Sequence, residues 1–322
     1  MSDIFLSNEV LIYLLSESVV YVLLMIAVVL NIQLISRWDF GAFSQTQFTL
    51  EKRAYLVMTI ITFAFVIKIM LLPYFAYGID KLSALVPGAM CASGVIGAND
   101  YGYPLLGIKT VILILTGIWI TVNALDLKAT DYPFFKIKSL LFMVIFALVS
   151  IEFFLDFTYF GNIETTNPVS CCSVTFGAQG TDNPLPFGLD TPKLLLLFYL
   201  IYLLTIITAL SGYAAIGLGA NVLFLALSYY AVVYFFGTYI YELPTHKCPF
   251  CMLQKEYWYV GYLLWGTLLG GTFFGVNAFV VKHLLHKSPA VHYRFSFLFN
   301  TLFVLLVSSY VLIYYLKNGV WL

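Results

Sequence analysis

Long apolar runs separated by short polar stretches dominate this chain, and the runs lack the polar stripe that a helix on the surface of a soluble core keeps. They fall at about 9–36, 53–75, 103–125, 134–160, 192–211, 214–241, 256–281 and 296–316. Each is close to or above the roughly 20 residues that a helix needs to cross hydrocarbon. The pattern predicts an all-α polytopic membrane protein of about eight transmembrane helices, with the lipid bilayer as its main partner. The first residues, MSDIFLSNEV, lack the basic start and small-residue cleavage site of a signal peptide, so the first run reads as a retained span. In ALSGYAAIGLGAN, Ser211 and Gly212 must turn the chain between the fifth and sixth spans.

Composition agrees, with 61% apolar and only 10% charged residues, which excludes an ordinary soluble domain of this length. Basic residues then set orientation. Arg37, Lys52 and Arg53 follow the first span, Lys128, Lys136 and Lys138 the third, and Lys282, Lys287 and Arg294 the seventh. These loops share one side, which reads as cytoplasmic and leaves both termini outside. The chain reads as one integral membrane domain, 1–322. Within it, four-plus-four helix halves at 1–160 and 192–322 are joined by an outer loop at 161–191.

All five cysteines fall in outer loops: Cys91 in VPGAMCASG, Cys171 and Cys172 in NPVSCCSV, and Cys248 and Cys251 in HKCPFCMLQK. That side, in a bacterial inner membrane or a secretory lumen, is where disulfides persist. An odd number cannot all pair within one chain. Cys248 and Cys251 form a C-x-x-C directly before the seventh span, where a helix N-terminus, Lys247 and Lys255 would favour a thiolate. Met252 follows the second cysteine in place of histidine, which excludes c-type haem attachment. Adjacent Cys171 and Cys172 can close only a strained and therefore more oxidising ring, serve two partners, or clamp a soft metal.

CPFCMLQKEYWY resembles the C-x-x-C-x-x-[Q/E]-R segment of the DsbB-type, quinone-linked disulfide-bond formation family, over about a dozen residues. The resemblance implies that Cys248 and Cys251 exchange electrons with ubiquinone or menaquinone. It places Gln254 at the Q/E position and Lys255 where the family usually has arginine. It also implies that outer cysteines, here Cys171, Cys172 and Cys91, oxidise a soluble periplasmic thiol carrier. The family's core has four helices, against eight spans here.

Counting along the spans places Glu17, Lys68, Lys109 and Glu152 about seven residues below the outer surface, with Asp156 a turn shallower. Ionisable groups at that depth are costly and face a bundle interior. The layer would bind a quinone headgroup and relay its protons, or conduct a cation. GTLLGGTFFG carries Gly266, Gly270, Gly271 and Gly275 at small-xxx-small spacing, a helix-packing signature. No phosphate loop, dinucleotide fingerprint or H-E-x-x-H motif occurs, and no basic footprint for nucleic acid is present.

The leading expectation is therefore a membrane thiol–disulfide oxidoreductase linked to quinone. The alternatives are a soft-metal protein handling copper or mercury, with Met90, Met252 and His246 near the thiols, and a non-catalytic subunit of a respiratory or transport complex.

Overall fold

The computed structural model describes residues 4–39, 44–129, 132–169, 185 and 188–322. Eight of its helices are long and apolar enough to span a membrane. They are α1 (Asn8–Arg37), α2 (Gln45–Leu82), α4 (Gly102–Asp126), α5 (Phe135–Gly161), α6 (Thr191–Ser211), α7 (Ala214–Tyr241), α8 (Val260–Leu284) and α9 (Ala290–Asn318). A short helix, α3 (Ala92–Ile96), lies between α2 and α4. Only 22% to 50% of the most apolar window of each span is buried by protein. The remaining Leu, Ile, Val and Phe side chains face outward, which is stable only against lipid. The protein is an integral membrane protein.

The chain divides into two compact units, residues 1–86 with 96–167, and residues 87–95 with 168–322. In the first, α1 packs on α2, α2 on α4, α4 on α5 and α5 back on α1, closing a four-helix ring. Its interior is built around Phe65, whose ring meets Trp119 edge-on at 5.2 Å and Phe142 at 6.0 Å. The second unit repeats the cyclic order, with α6 on α7, α7 on α8, α8 on α9 and α9 on α6. Phe198, Phe224, Phe236 and Phe303 fill it. Chain neighbours are space neighbours in both rings, as short loops require.

The turn expected at Ser211 and Gly212 is present: Gly212 takes a left-handed φ of 74° and its N–H caps Thr208 O, the usual glycine stop. At the same end of the unit, Lys282 Nζ donates to Gly212 O at 2.6 Å. At the opposite end Lys317 pairs with Glu242 at 2.9 Å, so α7 and α9 finish together.

Several boundaries differ from the sequence reading, among them the start of α9, which lies at Ala290 rather than about 296. Helix α2 starts well before residue 53, because Ser44 caps it by accepting from the Gln47 N–H at 3.2 Å and the polar first turns remain helical. It also continues to Leu82 rather than ending near 75. Helix α8 starts at Val260 rather than 256, since the preceding residues form two 3₁₀ turns and then Trp258 and Tyr259 take left-handed φ values of 55°.

Candidate functional site

The second unit gathers three of the cysteines. Cys91 precedes α3, and its carbonyl accepts from the Gly94 N–H at 3.1 Å. The segment is held by Val169 N–H donating to Pro87 O at 2.9 Å. Gly88 permits that approach: its φ is 80°, and a side chain there would strike the Val169 carbonyl. Cys248 and Cys251 come from the connection between α7 and α8. Tyr241, at the end of α7, donates its hydroxyl to Cys248 O and accepts from the Met252 N–H at 3.1 Å. Trp265 Nε1 donates to Pro249 O at 3.3 Å. One buried phenol and one indole thus pin the C-x-x-C backbone from both flanks.

The result is a sulfur cluster. Cys91 Sγ lies 3.6 Å from Cys248 Sγ, and the three sulfurs of Cys91, Cys248 and Cys251 are all within 4.8 Å of one another. The 3.6 Å separation is a contact, well beyond the ~2.05 Å of an S–S bond. The residues are buried, at 0%, 1% and 4% exposure. The cysteines sit in a loop and a 3₁₀ turn, nine or more residues before the α8 ladder begins, so the expected contribution of a helix N-terminus to the thiolate does not apply. Cys171 and Cys172 lie outside the described residues.

Gln254 Nε2 donates to Met90 O at 3.1 Å, tying the C-x-x-C segment to the Cys91 segment. Lys255 is exposed. Met252 is fully buried, whereas Met90 is 71% exposed and His246 packs its ring on Tyr241 at 4.4 Å. Burial raises the Tyr257 hydroxyl above its ordinary range, and charge on Cys251 and Glu256 acts in the same direction. Tyr257 therefore stays a neutral phenol beside the thiols at neutral pH.

The charged layer lies in the first unit and faces its interior. Lys68 Nζ reaches Glu17 at 2.6 Å and Glu152 at 2.8 Å, while Lys109 Nζ reaches Glu152 at 2.7 Å and Asp156 at 2.9 Å. None of these residues exceeds 7% exposure. Such groups tolerate burial only when paired, and the alternation of acid and base along the row supplies the pairing.

Sequence reasoning missed Tyr13, whose hydroxyl bridges Glu17 at 2.9 Å and Asp156 at 3.2 Å; a tyrosine in an apolar helix gives no signal. It also took Lys138 as a loop charge. Lys138 is buried, paired with Asp126 at 2.7 Å and donating to Asn123 Oδ1 at 2.8 Å. A polar node in the second unit was missed as well, where Asn300 Nδ2 donates to Asn221 Oδ1 at 2.9 Å beside Ser296. Comparison of the chain with protein-family models, with curated proteins and with solved structures yields no match.

Proposed function

We propose that the second unit is a membrane thiol–disulfide oxidoreductase whose working groups are Cys91, Cys248 and Cys251. The observation that carries this reading is the cluster itself: three buried sulfurs within 4.8 Å, drawn from positions 157 residues apart in sequence. Three thiols at that spacing can hold one disulfide and one thiol, and the disulfide can move among them. With Cys248 and Cys251 bonded, the Cys91 thiolate attacks Cys248 Sγ, the Cys248–Cys251 bond breaks, and Cys251 leaves as the thiolate. The electron count is unchanged, and the oxidising equivalent has moved to Cys91.

Net turnover needs a donor and an acceptor. The donor is a dithiol on the outer, periplasmic face, oxidised to its disulfide while the protein's disulfide becomes two thiols. The acceptor is a membrane quinone, ubiquinone or menaquinone, which takes the two electrons and two protons and regenerates the disulfide. The resemblance of CPFCMLQK to the quinone-linked family supports this choice of acceptor, with Gln254 and Lys255 beside it. The closed four-helix ring of the second unit also accords with that family's four-helix core. Cys171 and Cys172 are the expected point of entry for the donor's electrons, and a bacterial inner membrane is the expected location.

The test is quinone reduction by the purified protein with a small dithiol as donor. Cys248→Ser/Cys251→Ser should abolish it. Undiminished activity in that variant would exclude the mechanism.

The same three sulfurs favour one second reading, a soft-cation site, because thiolates converging on one point suit a monovalent copper ion. Stoichiometric copper binding that is lost in the double variant, without dithiol-dependent quinone reduction in the native protein, would replace the first reading by the second.

A further inference from the structure

The first unit contains a closed loop of side chains that the thiol chemistry does not use. It runs Glu17, Lys68, Glu152, Lys109, Asp156 and back to Glu17 through the hydroxyl of Tyr13. These groups come from α1, α2, α4 and α5, every helix of the ring, with Tyr159 one turn beyond Asp156 on α5.

Two independent counts show that this loop is one proton short when every group is in its ordinary ionised form. The first is charge. Three carboxylates face two ammonium groups, which leaves one uncompensated negative charge among residues no more than 7% exposed, a state that the membrane interior disfavours strongly.

The second is hydrogen-bond bookkeeping at Tyr13. A phenol carries one hydrogen and two lone pairs. Lys109 Nζ donates to the Tyr13 oxygen, occupying one lone pair. The hydroxyl then faces both Glu17 Oε1 at 2.9 Å and Asp156 at 3.2 Å, yet its single hydrogen can serve only one of them. The other contact opposes a lone pair to a carboxylate oxygen unless that carboxyl carries a proton and donates it. One added proton neutralises the excess charge and completes the three-way hydrogen bonding of the phenol.

We infer that the first unit is a proton-binding site within the membrane, holding one exchangeable proton shared by Glu17 and Asp156 through Tyr13. The transfer is a concerted exchange: the protonated carboxyl gives its hydrogen to the phenol oxygen while the phenol hydrogen passes to the opposite carboxylate. Tyr13 is chemically unchanged, and the proton has moved from one side of the loop to the other. A small cleft lined by Tyr13, Glu17, Lys68, Lys109, Thr116 and Glu152 among others borders the loop. The class of activity this supports is proton-coupled transport or proton delivery by the first unit. It stands whether or not the thiols exchange disulfides, because no cysteine takes part.

The experiment is infrared difference spectroscopy of the full-length protein in liposomes as pH is changed, following the C=O stretch of a protonated carboxylic acid and its shift in D₂O. The native protein should show one such carboxyl per chain at neutral pH, and it should be lost in Asp156→Asn and in Glu17→Gln. Glu256→Gln, at an exposed position in the other unit, should retain it. Absence of the band from folded native protein across the whole pH range would overturn the inference, and that measurement holds even if a variant fails to fold. Survival of the band in both Asp156→Asn and Glu17→Gln would overturn it as well. Loss of the native band when potassium is replaced by sodium would also overturn it, assigning the site to a metal cation.

Discussion

Single side chains do much of the positioning at both polar centres. Tyr241 is the clearest case, because one hydroxyl satisfies a carbonyl and an amide of the C-x-x-C turn at once. Tyr241→Phe removes the hydrogen bonds to both backbone groups, a loss of about 1–3 kcal/mol. The expected outcome is a lowered thermal midpoint in detergent, together with faster alkylation of Cys248 and Cys251 as the turn opens. Lys109 is the more critical residue of the first unit, since it touches Glu152, Asp156 and Tyr13 together. Lys109→Met takes the ammonium partner from Asp156 and leaves Glu152 to Lys68, and should cost about 3–5 kcal/mol, read as a shift of the unfolding midpoint in mixed micelles. Lys193→Met should be near neutral, because Lys193 and its partner Asp190 are both largely exposed.

At the scale of helices, the glycines of α8 separate into two kinds. Gly271 and Gly275 lie against Asn300 of α9 and Asn221 of α7, where a side chain would collide, whereas Gly266 has open space around it. Gly275→Leu should therefore destabilise the protein by about 1–3 kcal/mol or prevent assembly of the ring, and Gly266→Ala should be silent, both judged by size-exclusion profile and thermal midpoint. The small-xxx-small spacing was legible in the sequence, but which of its members touch a neighbour was not. The same division holds for the rest of the structure. Hydropathy revealed all eight spans, because lipid demands long apolar helices, and Gly212 revealed the hardest turn. Depth along the spans brought Glu17, Lys68, Lys109 and Glu152 to one level, since buried charges must find each other. The start of α2 was hidden by a polar first turn that reads as loop. The meeting of Cys91 with Cys248 was hidden altogether, because it depends on how residues 87–95 join the second unit, and no local pattern encodes that.

For the whole molecule, the distribution of Lys and Arg along the sequence leads us to expect an orientation in which eight crossings return both ends of the chain to the outer side. A membrane-impermeant thiol reagent applied to intact, reduced cells should then label the protein, as should an antibody to a tag at either terminus. Labelling that needs permeabilised cells would invert the orientation. Each unit is a four-helix ring with its own buried chemistry, thiols in one and an acid–base loop in the other. The central claim is that Cys91, Cys248 and Cys251 trade a single disulfide, and the most direct measurement is to trap the exchanged bond. Cys251→Ser removes the leaving sulfur, so mild oxidation followed by non-reducing peptide mapping should recover Cys91 linked to Cys248. Recovery of both as separately alkylated thiols from folded, oxidised protein would contradict the account.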